Sequence, residues 1–92
     1  MTSQHVTVVN QLGMHARAAA KFVHLATRYE AQVTVARDER AMDGKSIMGI
    51  LLLAAARGST ITISADGIDE RDAVAALTAL VQSGFGEDLC GA

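Results

Sequence analysis

His5-Val6-Thr7-Val8-Val9, Asn10-Gln11-Leu12-Gly13, Met14-His15-Ala16-Arg17-Ala18-Ala19-Ala20 is the stretch in which two periodicities meet. Its first five residues alternate apolar and polar, as a half-buried strand does. Asn10 to Gly13 reads as a turn. From Ala16 to Tyr29 the period lengthens, with Ala19, Phe22, Val23 and Ala26 spaced for one face of a helix and the alanines supporting it by propensity. A strand that hands over to a helix through a short turn opens a strand-helix-strand unit, and it places His15 at the helix start.

Outward from this junction the pattern repeats. Gln32 to Ala36 alternates, Asp38-Glu39 marks a hairpin tip, and Arg40 to Met42 forms the return strand. Asp43-Gly44 leads out to Ser46, which precedes a short apolar helix from Ile47 to Leu53, closed by Arg57-Gly58-Ser59. Thr60 to Ser64 alternates most cleanly of all. Asp66-Gly67 is a turn, and Asp69 with Asp72 has the spacing of an N-cap and an acid at the third helical position. Ala73 to Val81 carries the last helix, with Val74, Leu77 and Val81 on one face and Gly84 as its stop. The order strand, helix, strand, strand, helix, strand, helix is most economically a four-stranded sheet with its helices on one face, an α+β architecture.

Ninety-two residues suit one domain with a modest core. Its core is about residues 4–86, followed by a flexible tail at 87–92. Only Phe22, Tyr29 and Phe85 are aromatic, so Val, Ile, Leu, Ala and Met must supply the interior. The net charge of −2 and the lack of an aromatic platform argue against nucleic acid. Charge is uneven, with Arg17, Lys21 and Arg28 but no acid in residues 1–29, which fits an anionic ligand or acidic partner at that end. The single Cys90 makes no internal disulfide and suits a reducing compartment. No signal-peptide pattern begins the chain, and the longest apolar run, Ile50 to Ala56, is too short to span a bilayer. A cytoplasmic protein without membrane contact is expected.

His15 admits ordinary explanations: a surface residue or a helix cap. A metal role is disfavoured, because no Cys, Asp or Glu lies within ten residues of it. Physics favours a third reading. The first turn of a helix presents unpaired N–H groups and a partial positive charge, which attract anions. A nucleophilic imidazole must be neutral, and the same field disfavours imidazolium, typically by about 0.3–1 kcal/mol and up to about 2. Arg17 and the N–H groups of Ala16 and Arg17 would then hold a phosphoryl group carried on His15. Gly44-Lys45-Ser46 has the ending of a P-loop, but Glu39 stands where its first glycine is needed. With no nucleotide motif and no cofactor motif, the phosphoryl group must come from a partner protein.

Ser46 is first an N-cap. A phosphate there would add about −1.5 to −2 charges beside Ile47, Met48 and Leu51 and repel an acidic partner. The run Ile50 to Leu53 is too continuous to bury wholly, so this helix should expose an apolar docking patch. A protein-binding module acting through the Ile47–Leu51 surface, with His15 incidental, is the competing reading. A self-contained catalyst finds no support in any acid–base pair.

Leu12-Gly13-Met14-His15-Ala16-Arg17, Lys45-Ser46-Ile47-Met48-Gly49 and the order of elements resemble the HPr family of the bacterial phosphoenolpyruvate-dependent phosphotransferase system, over residues 4–86. The resemblance implies an open-faced β-sandwich, an antiparallel four-stranded sheet backed by three helices. It implies a monomer whose His15 is phosphorylated on Nδ1 by phospho-enzyme I and delivers the group to an enzyme IIA domain, assisted by Arg17. It also implies that Ser46 is a target of HPr kinase/phosphorylase where one exists, and that Ala20, His24, Ile47, Met48 and Leu51 dock partners. Ala18 replaces the family's usual proline, which returns an N–H to the first turn. Thr27 and Gly49 stand at positions often basic. The ending from Val81 to Asp88 is closer to the nitrogen-branch homologue, NPr, a regulatory carrier.

Overall fold

A computed structural model describes residues 1–86 of the chain. The expectations for the 87–92 tail and for Cys90 lie outside the described residues. The elements follow the expected order: β1 (Thr2–Thr7), α1 (Ala16–Ala26), β2 (Gln32–Arg37), β3 (Arg40–Asp43), α2 (Ile47–Leu52), β4 (Thr60–Asp66) and α3 (Glu70–Gln82), then a 3-10 turn at Gly84–Gly86.

The strands form one antiparallel sheet in the order β1-β4-β2-β3. β4 lies between β1 and β2, and β2 lies between β3 and β4, so both helical crossovers skip one strand. Alternation in the two central strands decides which face is covered. Ile61, Ile63 and Ala65 of β4 and Val33 and Val35 of β2 are buried, whereas Thr62, Ser64 and Thr34 between them are less so. The apolar face meets Phe22 from α1, Ile50 and Leu53 from α2 and its end, and Val74, Leu77 and Val81 from α3. The other face carries hydroxyls and an imidazole. Ser3 pairs with Ser64 at 2.9 Å, and His5 Nδ1 lies 2.8 Å from Thr62 Oγ1. One covered face and one polar face make this an open-faced β-sandwich.

Most element bounds differ from the sequence reading by one to three residues, α3 for instance starting at Glu70 rather than Ala73 and β4 ending at Asp66 rather than Ser64. At β1, α1 and Asp69 the difference has a physical reason. β1 begins at Thr2 rather than His5, because pairing with β4 runs from Thr2↔Ala65 to Thr7↔Thr60. Val8 instead bonds the turn before β4, donating to Ser59 and accepting from Gly58. α1 ends at Ala26, and the pattern to Tyr29 continues as tighter i→i−3 bonds from Arg28 to Leu25 and from Tyr29 to Ala26. Asp69 does sit at the N-cap position of α3, but its side chain makes no cap bond. Its two oxygens accept the Glu30 and Ala31 amides at 2.9 and 2.8 Å, tying the α1–β2 loop to α3. Those amide bonds, Glu30's above all, hold the Asp69 carboxyl below its ordinary range. Next to it, Thr2 Oγ1, the terminal ammonium of Met1 and the Gly67 amide all bond Glu70 and pull it down to about 2. Gly84 stops α3 as expected, with φ +70° directly after the C-cap Ser83.

Candidate functional site

His15 is the N-cap of α1. Its backbone is extended, with φ −72° and ψ 177°, and its Nδ1 accepts the Arg17 amide at 3.3 Å. A ring nitrogen thus does what a Ser or Asp oxygen usually does at this position. The consequence is chemical as well as structural. The Nδ1 lone pair is aimed at the positive end of the helix, and the half-buried ring keeps contact with solvent. No acidic residue lies in the first turn of α1 to compete for an arriving anion. Ala16 and Arg17 are exposed beside it, while Ala18, in place of proline, is buried and supplies the third helical N–H.

The loop before His15 is braced from two sides. Asn10, fully buried, donates through Nδ2 to Gly13 O at 2.8 Å, and Gly13 N returns a bond to Asn10 O. Met14, also buried, donates its amide to Ala55 O at 2.9 Å. Gly13 has φ +66°, and a Cβ there would lie 2.6 Å from Ala55 O and 2.9 Å from Ala56 Cα. Only glycine satisfies both the left-handed backbone and the close approach. Asn10 was legible only as a turn residue; its buried role needs the fold.

Ser46 is the N-cap of α2, with Oγ accepting the Gly49 amide at 3.1 Å. The Gly44-Lys45-Ser46 segment is not a phosphate loop: Gly44 N bonds Val33 O, Lys45 N bonds Asp43 Oδ1, and Lys45 Nζ bonds Tyr29 O. These bonds turn the chain from β3 into α2. The apolar run divides as expected. Ile50 and Leu53 are buried, while Met48 is 68% exposed and Ile47, Leu51 and Leu52 are exposed too. Ala20 and His24 are on the exposed side of α1, which packs against α2. Two further exposed leucines belong to this inventory but not to the sequence reading: Leu12, 69% exposed in the loop before His15, and Leu52. Leu52 sits in the continuous run Ile50 to Leu53, so the sequence pattern does not tell that it faces out, and Leu12 stands alone among the turn residues Gln11 and Gly13.

The family model for PTS-HPr, described as the PTS HPr component phosphorylation site, matches residues 2–83. The chain is 48% identical over 87 residues to the phosphocarrier protein HPr of Cupriavidus necator, a match covering 95% of this chain and 98% of that one. It is 39% identical over 84 residues to the phosphocarrier protein NPr of Shewanella violacea, covering 91% and 92%. Among solved structures, an HPr from Thermoanaerobacter tengcongensis superposes with a TM-score of 0.93 at 40% identity, covering 97% of this chain and all of that one. Crh of Bacillus subtilis, a catabolite repression protein seen as a domain-swapped dimer, gives a TM-score of 0.74 at 39% identity, covering 91% and 97%. Among the described residues no helix is long and apolar enough to cross a membrane.

Proposed function

The chain belongs to the PTS-HPr family, and we propose that it is a phosphocarrier of the phosphoenolpyruvate-dependent phosphotransferase system with His15 as the loaded residue. The observation that carries this reading is the position of His15 Nδ1, a lone pair facing the first turn of α1. In the forward step Nδ1 attacks the phosphorus of a phosphorylated donor protein, enzyme I. The Nδ1–P bond forms as the donor's bond to phosphorus breaks, and the ring keeps its proton on Nε2. The Arg17 amide, freed from the ring nitrogen, then donates to a phosphoryl oxygen together with the Ala16 amide and the Arg17 guanidinium. Delivery to an enzyme IIA domain is the same step reversed. The residues supply positioning and electrostatics, and no cofactor is needed.

The exposed row Ile47, Met48 and Leu51 with Ala20 and His24 is the surface for docking donor and acceptor. Methionine suits such a surface because its flexible thioether adapts to more than one partner. Ser46, capping α2 beside that row, is the regulatory phosphorylation position for an HPr kinase/phosphorylase. The carrier acts as a monomer in the cytoplasm, where its phosphoryl source is made; a dimer, the form of Crh, is the alternative that sedimentation would reveal.

Incubation with enzyme I and phosphoenolpyruvate should yield an acid-labile, base-stable phosphate on the wild type and none on His15→Ala. Label persisting in that variant would remove His15 from its role. A second reading is a nitrogen-branch regulatory phosphocarrier, supported by the NPr relative, which still loads His15. A protein-binding module acting through the exposed apolar row, with His15 incidental, would instead require a partner whose affinity falls on Met48→Asp yet is unaffected by His15→Ala.

A further inference from the structure

The carbonyls at the C-terminal end of a helix lack intrahelical partners, and α2 has no basic residue in its last turn to meet them. Ile50 O and Leu51 O take the Leu53 and Ala54 amides, and the carbonyls that follow find partners in another part of the chain. Arg37 Nη1, at the end of β2, donates to Leu53 O at 2.9 Å and Ala54 O at 3.1 Å. Arg40 Nη1, at the start of β3, donates to Leu52 O at 3.1 Å. These arginines face each other across the Asp38-Glu39 turn, paired in the register of the hairpin. Together they hold three successive carbonyls. The fourth, Ala55 O, takes the Met14 amide one residue before His15.

The segment needs holding. Ala54 has φ +51°, a left-handed conformation that alanine adopts only at a cost. Ala55 O is also the atom against which Gly13 is packed. The segment from Leu52 to Ala55 therefore joins the exposed end of α2 to the loop that carries His15, and two guanidiniums fix its shape from behind.

We propose that Arg37 and Arg40 are positioning residues that clamp the 52–55 segment, and through it set both the His15 loop and the exposed Leu51–Leu52 end of the docking helix. The kinetic consequence rests on the carrier reading; the structural consequence does not. Neither arginine touches the reacting atoms. If they served only as surface charge for an acidic partner, lysine would replace them without loss.

The test compares Arg37→Gln with Arg40→Gln in one variant, and Arg37→Lys with Arg40→Lys in another, by two readouts on the intact chain. The first is amide hydrogen exchange at Met14, Leu53 and Ala54 relative to Val35 and Ile63 in the sheet. The second is KM and kcat for phosphoryl transfer from enzyme I. In the glutamine pair, exchange at Met14 and Ala54 should rise by about tenfold or more relative to the sheet, because charge-assisted bonds to the carbonyls are lost. KM should rise with it, and the lysine pair should fall between in both readouts. Unchanged relative exchange in the glutamine pair overturns the clamp, as does an equal rise at every amide. A lysine pair that restores KM while Met14 still exchanges fast also overturns it, in favour of a charge-only role. Absence of any phosphorylation on the wild type would defeat the carrier reading and leave the exchange result to decide the clamp by itself.

Discussion

Replacing Gly13 with alanine should cost more than any other single methyl group added to the loop before His15. The backbone there has φ +66°, which for alanine carries a penalty of about 1–2 kcal/mol. The new Cβ would sit 2.6 Å from Ala55 O and 2.9 Å from Ala56 Cα, both main-chain atoms that cannot swing aside. The two loops must separate, which stretches the 2.9 Å Met14–Ala55 bond and strains the buried Asn10–Gly13 bond, at about 1 kcal/mol each. The sum is about 3–4 kcal/mol. For a domain of this size each kcal/mol lowers Tm by about 4–8 °C, so a drop of about 12–32 °C is expected. Thermal unfolding followed by circular dichroism measures it, with phosphoryl acceptance assayed well below the transition. A Tm within about 3 °C of wild type would show that the loop is not braced against residues 55–56 and would refute the reasoning.

Ser46→Ala should destabilise by about 0.5–2 kcal/mol in urea titrations, since the Gly49 amide loses its acceptor; no loss would mean the cap bond contributes nothing. Ser46→Asp should slow transfer from enzyme I by placing negative charge beside the docking row, and an unchanged rate would remove that role. Met48→Asp should leave stability within about 0.5 kcal/mol, because the side chain is exposed, while raising KM for transfer; a normal KM would exclude Met48 from docking. Acid stability tests the start of α3. Glu70 titrates lower in the folded chain than its ordinary 4.5, at about 2, so between those values the unfolded chain binds the extra proton. The stabilisation it gives is complete above about pH 4.5 and is lost as pH falls toward 2. Glu70→Gln should flatten the urea midpoint in that window, and an unaltered pH profile would contradict the assignment.

The parts legible in the sequence are those decided locally. β2 and β4 alternate because one face is buried, and the α1 face shows at Ala19, Phe22 and Ala26 because the helix lies on that sheet. His15 and Ser46 were readable because a cap acts on amides two or three residues away. What was not readable depends on partners distant in sequence. Thr2-Ser3-Gln4 joins β1 because β4 is long enough to pair with it, and its polar residues give no signal of that. Asp69 has the spacing of a cap, yet it answers amides 38 and 39 positions earlier. Arg37 and Arg40 read as ordinary hairpin charges until α2 is seen to end against them. Leu52 shows the same limit, since exposure within the apolar run Ile50 to Leu53 is settled by packing.

The central claim is that a ring nitrogen at the head of α1 carries the cargo, and phosphorus and nitrogen NMR of the enzyme I-treated protein addresses it directly. The account predicts a phosphoryl group bonded to Nδ1 of His15, with the Ala16 and Arg17 amide protons displaced by new bonds to its oxygens. A phosphoryl group on Nε2, or on any other residue, would contradict it.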